Sequence, residues 1–203
     1  MFELYLIRHA KTIANEKNLY CGSTELPLSR AGKKELRKNK EKGVYTLCDA
    51  YYTSGMARCN GTLEIIAGKD TPFEAIGLLK EINVGVFEMK SYEELKTNRE
   101  YLAWINDKTG NFKCPSGESK NMFYQRVSMG LLGLTQRIMK NEYNTAMCVT
   151  HGGVIVAIME GLFGHSKKFY DWQPELGLGY KITHMGEAGY TSYEVLAVNK
   201  MPK

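Results

Sequence analysis

Short apolar runs alternate with helical patterns along most of this chain. The runs at residues 4–7 and 145–150 are continuous and bounded by polar residues, which is typical of strands buried in a parallel sheet. Four further ranges also have the β-branched, aromatic or alternating character of strands: 48–54, 73–76, 180–183 and 190–198. Strands that alternate with helices predict one α/β domain.

The longest helical pattern follows Ser119. Apolar residues recur there at spacings of 4, 4, 3 and 4, which predicts a helix with one stripe of side chains facing the core. This stripe consists of Phe123, Val127, Leu131, Leu134 and Ile138. Three methionines on the same helix are expected to fill gaps in the core: Met122, Met129 and Met139.

Three serines are placed where helices are expected to begin. Ser29 precedes a basic helix, Ser54 precedes a helix over about 55–67, and Ser91 precedes a short helix that ends at Lys96. The stretch from 91 to 116 is the least regular and carries scattered aromatic residues. Because a connection of this length often covers a ligand, we place a small cap insertion at about 82–120.

Composition adds limits to this picture. The 203 residues are 43% hydrophobic, enough for one sizeable core. No run approaches the roughly 18 apolar residues of a membrane span, and no secretory signal follows Met1, so we expect a cytoplasmic protein without membrane contact. The cysteines are dispersed, which predicts buried, reduced thiols and neither disulfides nor a zinc site. They are Cys21, Cys48, Cys59, Cys114 and Cys148.

The net charge of +5 is concentrated in one segment. Residues 33–42 hold six basic and two acidic side chains and thus supply +4 of it. No aromatic residues interleave with these charges, so the stacking platform of single-strand binders is missing. We interpret the segment as a solvated helix face and expect no nucleic-acid partner.

Chemically useful side chains follow the predicted strands. Arg8 and His9 end the first strand, and His151 ends the strand over 145–150. Glu81 follows the third predicted strand, and Arg58 lies in the first turns of a helix. Ligands of open α/β sheets bind at the carboxyl ends of strands, so these five side chains are candidates for one site.

Such a set suits phosphoryl transfer. Two arginines supply charge and oriented donors for a phosphoryl dianion. A neutral imidazole can attack phosphorus if its other nitrogen is kept as N–H, and a second histidine can donate to the phosphoryl oxygens. A nearby carboxylic acid can protonate the leaving alkoxide and then deprotonate the attacking water.

These residues fall within five sequence blocks. The blocks are Arg8-His9-Ala10-Lys11-Thr12 with Asn15, Tyr20-x-Gly22 with Leu26-Pro27-Leu28-Ser29-x-x-Gly32, Thr53-Ser54 with Arg58 and Thr62, Leu79-x-Glu81 with Gly85, and Val149-Thr150-His151-Gly152-Gly153. In this order and spacing they resemble the histidine phosphatase superfamily, in the branch that contains the phosphoglycerate mutases. The blocks span residues 4–153.

The resemblance implies a three-layer α/β/α sandwich with a mostly parallel central sheet and a small helical cap, as a single domain over residues 1–203. It implies that His9 becomes phosphorylated, that Glu81 is proton donor and then base, and that three residues bind the phosphoryl group: Arg8, Arg58 and His151. Contacts with the substrate are implied for Thr12, Asn15, Gly22 and Gly152. No metal and no organic cofactor is implied.

One position departs from the family's pattern. Ala10 stands where the family usually has glycine. If that position requires a positive φ, alanine costs about 1 kcal/mol of strain; if it requires only a small side chain, alanine is harmless. His165 and His184 belong to no block and are interpreted as structural.

The reaction is less sharply indicated than the family. Cofactor-dependent phosphoglycerate mutases of this superfamily are typically longer and carry an Arg-Arg pair and a proline cluster in the insertion. This chain has a lone Arg99 and no such cluster between Glu81 and Pro115, so the resemblance favours a phosphatase. The short insertion and the Ser116-Gly117-Glu118-Ser119 turn resemble bacterial α-ribazole phosphatases, although a sugar phosphate or a nucleotide would suit the same pocket. A mutase is the second hypothesis, and a non-catalytic module that binds phosphorylated ligands is a distant third. The expected partner is a small phosphomonoester, and a homodimer is left open.

Overall fold

The computed structural model describes residues 1–164 and 169–198, and within these ranges six strands form one mixed sheet. The strands are β1 (Phe2–Arg8), β2 (Ala50–Thr53), β3 (Glu74–Ala75), β4 (Thr145–Thr150), β5 (Gly179–His184) and β6 (Tyr190–Leu196). Their order is β3-β2-β4-β1-β5-β6. The pairs β3–β2, β2–β4 and β4–β1 are parallel, and the pairs β1–β5 and β5–β6 are antiparallel.

Helices cover both faces of this sheet. They are α1 (Ile13–Glu16), α2 (Arg30–Glu41), α3 (Ala57–Ala67), α4 (Tyr92–Leu95), α5 (Arg99–Ile105), α6 (Lys120–Lys140), α7 (Gly152–Phe163) and α8 (Phe169–Trp172). On one face Leu4 and Leu6 of β1 pack with α6 and α7, and on the other Tyr5 and Ile7 pack with α2 and α3. Successive side chains of a strand point to opposite faces of the sheet, so a continuous apolar run contributes to the hydrophobic cores on both faces. The predicted three-layer, mostly parallel α/β fold is confirmed.

A third, smaller cluster lies outside the two main cores. It is formed by buried side chains between the third strand and α6: Val84, Phe87, Leu95, Tyr101 and Cys114. Two 3₁₀ turns, Gly77–Leu79 and Gly85–Phe87, lead into this region, and α4 and α5 build it. The division into a single domain over 1–203 with an insertion at 82–120 stays a prediction.

Of the three serines predicted to begin helices, two act as N-caps and one does not. Ser29 and Ser91 accept hydrogen bonds from backbone N–H groups of the helices they precede, as expected of N-caps. The expectation for Ser54 was wrong, because α3 begins at Ala57 and Met56 is its N-cap without a side-chain hydrogen bond. The Ser54 hydroxyl is instead a partner of His151, with 2.8 Å between Oγ and Nε2.

The apolar stripe of α6 is buried along its whole length, but the three methionines are not part of the core. Met122, Met129 and Met139 are 45%, 64% and 51% exposed, because at 3.6 residues per turn they lie on the side of the helix opposite to the stripe. Cys21 and Cys48 are only half-buried, which also differs from expectation. The third strand is shorter than predicted and has two exposed residues.

The structure describes one of the two histidines that lie outside the sequence blocks. His184 is buried and stacks on Phe2, with 4.6 Å between ring centroids, which agrees with a structural role. His165 lies outside the described residues. Among the helices that the structure describes, none is long and apolar enough to cross a membrane.

Two glycines in the middle of α6 provide a test of how tightly this helix packs. A Cβ at Gly130 would lie 2.7 Å from Cδ2 of the fully buried Leu79 and 3.0 Å from Cβ of Leu78, whereas a Cβ at Gly133 would meet only the Arg137 guanidinium, at 3.1 Å. We expect Gly133→Ala to raise the free energy of unfolding by up to about 1 kcal/mol through helix propensity. Gly130→Ala should instead lower it by about 1 kcal/mol, since overpacking outweighs that gain.

Urea denaturation of the two variants and the unsubstituted chain measures both effects. Stabilisation by Gly130→Ala of the same size as that by Gly133→Ala would contradict the tight packing of α6 on the turn at Gly77–Leu79.

Candidate active site

His9 follows directly on β1, in the middle of the sheet. Its backbone N–H donates to the Thr150 carbonyl (2.8 Å), and its side chain is only 7% exposed. The distance from Nδ1 to the Ala10 carbonyl oxygen is 2.8 Å, and because a carbonyl only accepts, Nδ1 carries the proton. The lone pair of His9 is therefore on Nε2. Burial, followed by the nearby Arg58 guanidinium, lowers the pKa of His9 to about 3, so the ring is neutral at pH 7.

Ala10 fits its position without strain. Its φ is not among the positive values of the chain, and its N–H donates to the Thr62 hydroxyl at 3.0 Å. The side chain is 3% exposed, so the position requires a small residue and does not require glycine.

His151 lies beside His9 at the end of β4, with ring centroids 5.3 Å apart. It is fully buried and is the N-cap residue of α7. Arg58 Nε donates to its Nδ1 at 3.2 Å, so the proton of His151 is on Nε2 and is donated to Ser54 Oγ. Burial, together with the positive charge of Arg58, lowers the pKa of His151 well below its ordinary value.

The two arginines approach this histidine pair from different elements. Arg58, in the first turn of α3, is buried and donates to the carbonyls of Gly22 (2.7 Å) and Thr24 (2.9 Å). Arg8 donates through Nη1 to the Pro174 carbonyl at 2.8 Å, while its buried Nε has no hydrogen-bond partner among the described residues. A buried guanidinium donor without an acceptor favours an anion at this point.

Glu81 is fixed against the N-terminus of α7. Its Oε2 accepts the Gly153 N–H and its Oε1 accepts the Ile82 N–H, each at 3.0 Å. A Cβ at position 153 would lie 2.5 Å from Glu81 Oε1, so a glycine is needed for this approach. The structure thus brings together all five side chains that were predicted as catalytic.

Of the four residues expected to contact substrate, three line one cavity with His9 and Glu81: Asn15, Gly22 and Gly152. Thr12 does not line it. It is 1% exposed and is the N-cap of α1, where its hydroxyl donates to Asn15 Oδ1 at 2.9 Å. The structure therefore gives Thr12 the role of positioning Asn15, in place of the expected direct contact.

The cavity has a volume of about 590 Å³ and a chemically mixed lining. Arg8, His9, Glu81, Asp107 and Lys120 supply its charged and imidazole groups. Most of the remaining lining is aromatic or aliphatic, among it Leu19, Tyr20, Ile82, Val84, Trp104, Ile105, Phe112, Phe123 and Tyr124.

Glu88 was not identified from the sequence, yet it organises the loop on one side of the cavity. Its carboxylate accepts the backbone N–H groups of Gly22, Ser23 and Thr24, at 2.8–3.3 Å, and the Thr24 hydroxyl at 2.7 Å. Burial opposes ionisation, but these donors outweigh it and lower the pKa of Glu88. The carbonyls that bind Arg58 belong to the same loop, so Glu88 also positions that arginine indirectly.

Arg126 on α6 was also missed. Its guanidinium donates to the carbonyls of Leu78 (2.8 Å), Lys80 (2.9 Å) and Glu81 (3.3 Å) and pairs with both oxygens of Glu118, at 2.8 and 2.7 Å. Glu118 in turn accepts the Asn83 N–H at 2.9 Å. The ion pair therefore holds the chain on both sides of Glu81.

The buried, neutral state of His9 predicts how stability varies with pH. His9 takes up a proton near pH 6.5 in the unfolded chain but only near pH 3 in the folded chain. Because the unfolded state binds more protons between these values, the free energy of unfolding decreases as the pH falls through this interval. Between pH 7.5 and pH 5 the contribution of His9 is about 2 kcal/mol. When the pH is lowered from 7.5 to 5, we therefore expect the free energy of unfolding to decrease by about 2 kcal/mol less in His9→Asn than in the unsubstituted chain.

Urea denaturation of both proteins at pH 7.5 and pH 5 makes the comparison. Burial lowers the pKa of His151 in the same direction, but this residue is present in both proteins, so its contribution cancels in the comparison. Parallel pH dependence of the unsubstituted chain and His9→Asn would show that His9 is not buried as a neutral group.

The same helix offers a matched control for Arg126. Arg137 also pairs with a glutamate, Glu74, at 2.7 Å, but about half of each of those side chains is exposed, against about a fifth in the Arg126–Glu118 pair. We expect Arg126→Gln to lower the free energy of unfolding by about 2 kcal/mol or more, since Glu118 loses its partner. Arg137→Gln should change it by less than about 0.5 kcal/mol. Equal losses in urea denaturation would argue against the role assigned to Arg126.

Two curated proteins similar to this chain have related but distinct names. It is 28% identical over 170 residues to the adenosylcobalamin/alpha-ribazole phosphatase of Escherichia coli (strain K12), covering 79% of each chain. It is 27% identical over 169 residues to a probable phosphoglycerate mutase GpmB of Citrobacter koseri, covering 80% of this chain and 76% of that protein.

The fold has a close solved counterpart. The crystal structure of a putative alpha-ribazole-5'-P phosphatase from Escherichia coli K-12 superposes with a TM-score of 0.82 at 24% identity, over 96% of this chain and 95% of that one. The family model described as the histidine phosphatase superfamily (branch 1) matches residues 4–186. The predicted family and the predicted phosphatase class are confirmed: this chain belongs to branch 1 of the histidine phosphatase superfamily.

Proposed function

We propose that this protein hydrolyses a small phosphomonoester through a phosphohistidine formed on His9. The observation that carries the proposal is the hydrogen bond from His9 Nδ1 to the Ala10 carbonyl, which leaves a lone pair on Nε2 of a neutral ring. Phosphohistidine chemistry requires this tautomer, because the attacking nitrogen must be unprotonated.

In the first step Nε2 of His9 forms a bond to phosphorus as the ester P–O bond breaks, and Glu81 donates its proton to the leaving alkoxide. In the second step the Glu81 carboxylate takes a proton from water, whose oxygen attacks phosphorus and breaks the P–N bond. Inorganic phosphate leaves, and Glu81 is again protonated. The position of Glu81 on the Gly153 N–H, at the start of the helix that follows His151, supports this role.

Positive charge and donors stabilise the phosphoryl group in both steps. We assign Arg8 and Arg58 to its oxygens, supported by the unpartnered Nε of Arg8 and by the burial of Arg58. His151 is neutral and protonated on Nε2, and we propose that this N–H turns from Ser54 to a phosphoryl oxygen. Asn15, Gly22 and Gly152 line the surrounding wall. The reaction requires no metal ion and no organic cofactor.

For the substrate we propose α-ribazole 5'-phosphate or a sugar phosphate. The first is supported by the name of the similar Escherichia coli phosphatase.

A phosphoglycerate mutase is the second candidate and is supported by the similarity to the GpmB protein. Its substrate carries a carboxylate as well as a phosphate, yet Lys120 is the only cation besides Arg8 among the described residues that line the cavity, and Asp107 lines it too. This charge distribution favours the phosphatase.

A homodimer and a cytoplasmic location stay predictions. A module that binds phosphorylated ligands without turnover is the remaining alternative, and the presence of both His9 and Glu81 argues against it.

Replacement of the nucleophile is the first test. We expect His9→Ala to abolish phosphate release from a panel of phosphomonoesters, and EDTA to leave the unsubstituted enzyme unaffected. The panel includes p-nitrophenyl phosphate, α-ribazole 5'-phosphate, 3-phosphoglycerate, sugar phosphates and nucleotides. Rapid acid-free quenching with labelled substrate should trap an acid-labile phosphoprotein in the unsubstituted enzyme and none in His9→Ala.

His184→Gln is the matched control, because it changes a buried histidine outside the cavity and should retain both activity and labelling. Isomerisation of 3-phosphoglycerate that depends on a bisphosphate primer, without hydrolysis of any ester, would identify a mutase. Undiminished release by His9→Ala would rule out the proposed nucleophile.

A further inference from the structure

The cavity contains one polar side chain that the proposed reaction does not use. Gln173 is half-buried and lines the cavity together with Arg8, His9 and Glu81. It follows α8 and lies beyond the five sequence blocks, which end at residue 153. Its amide offers donors on Nε2 and an acceptor on Oε1 to a group that binds in the cavity.

Gln173 and Arg8 come together at the start of α7. A Cβ on Gly152, the first residue of this helix, would lie 2.7 Å from Gln173 Nε2 and 3.0 Å from Arg8 Nε. The amide nitrogen and the guanidinium are therefore neighbours on the surface of this glycine. A β-carbon at residue 152 would push the amide nitrogen away, so the glycine permits the approach.

Both of these nitrogens are hydrogen-bond donors. Arg8 Nε is buried and has no partner among the described residues, so it does not donate to the Gln173 amide oxygen. Two neighbouring donors are stabilised by an acceptor that both can reach, above all by a charged one. A phosphoryl oxygen is such an acceptor.

The backbone is fixed on both sides of Gln173. Arg8 Nη1 donates to the Pro174 carbonyl at 2.8 Å, and the Tyr180 hydroxyl donates to the Trp172 carbonyl at 3.1 Å. Pro174 is buried, and Trp172 is 1% exposed. The segment that holds Arg8 thus also presents the amide, and a preorganised donor loses little entropy when an anion binds.

We propose that Gln173 is a further phosphate-binding residue, whose Nε2 donates to a phosphoryl oxygen that also accepts from Arg8 Nε. The inference rests on the proposed function for the position of the phosphoryl group beside His9, and it adds a residue to the groups that bind it. The amide is neutral and binds this oxygen without adding charge beside His9. Burial and the two arginines already lower the pKa of His9, and a further cation would lower it again.

Gln173→Met tests the donor, because methionine has a similar length and no side-chain N–H. We expect this substitution to lower kcat/KM by about 10- to 100-fold. All phosphomonoesters share the phosphoryl group, so the loss should be similar for every ester of the panel that the enzyme hydrolyses. An unchanged kcat/KM would overturn the proposal. A loss confined to the esters of one alcohol would also overturn it, since the amide would then contact the alcohol part.

Two further variants distinguish a donor to phosphate from an acceptor for Arg8. Gln173→Lys keeps a donor and loses the acceptor, whereas Gln173→Glu keeps the acceptor and adds negative charge. In calorimetric titration with inorganic phosphate, we expect Gln173→Lys to bind at least as tightly as the unsubstituted chain. Gln173→Met should bind about tenfold more weakly, and Gln173→Glu more weakly still. Binding by Gln173→Lys that is no tighter than by Gln173→Met would show that the amide acts only on Arg8, against the proposal.

Gln136 provides the matched control. It is exposed on α6 and does not line the cavity, so Gln136→Met and Gln136→Glu should leave turnover and phosphate binding unchanged. Equal losses at both glutamines would reject a specific role for Gln173. Urea denaturation shows whether each variant is folded. If Gln173→Met does not fold, Gln173→Asn takes its place, because the shorter amide cannot reach the same point and should show the same losses.

The phosphate titration also separates this inference from the proposed function. If the unsubstituted chain hydrolyses no ester, phosphate binding that weakens about tenfold in Gln173→Met, and is unchanged in Gln136→Met, would support the inference in a protein that is not a phosphatase. If the chain hydrolyses esters and Gln173→Met is fully active, the inference fails and the proposed function stands. Absence of both hydrolysis and phosphate binding would reject both.

Discussion

The register between β1 and β4 is the constraint on which the site depends. Arg8 pairs with Thr150 in this register, and the next N–H, that of His9, donates to the same residue's carbonyl. His9 and His151 therefore leave the sheet side by side. A shift of one residue would turn His9 to the opposite face of the sheet and separate the two rings. Charges limit such a shift, because Arg8 ends the strand and Glu3 pairs with Lys181 near its beginning.

Much of this arrangement could be predicted because its signals are local. The strands over 4–7 and 145–150, the caps at Ser29 and Ser91, and the apolar stripe of α6 each depend on residues a few positions apart. Ala10 shows the limit of such reasoning. Whether an alanine is strained at this position depends on its backbone φ, and no pattern in the sequence predicts that angle.

The features that the sequence did not reveal depend on distant partners. Ser54 looks like an N-cap, but its hydroxyl is used by a histidine 97 positions away. Glu88 binds backbone N–H groups more than 60 positions earlier, and Arg126 binds carbonyls more than 40 positions earlier. Backbone groups are the same at every residue, so nothing in a single sequence marks them as partners of a particular side chain.

Glu88 also changes what the rim of the cavity offers to solutes. Three successive backbone N–H groups that converge on one point form a nest of the kind that elsewhere captures free phosphate. Here the Glu88 carboxylate, which belongs to the same chain, fills the nest at residues 22–24, so a dissolved anion has to displace it in order to bind there. In the reaction proposed above, phosphate released from His9 therefore finds these three N–H groups already occupied.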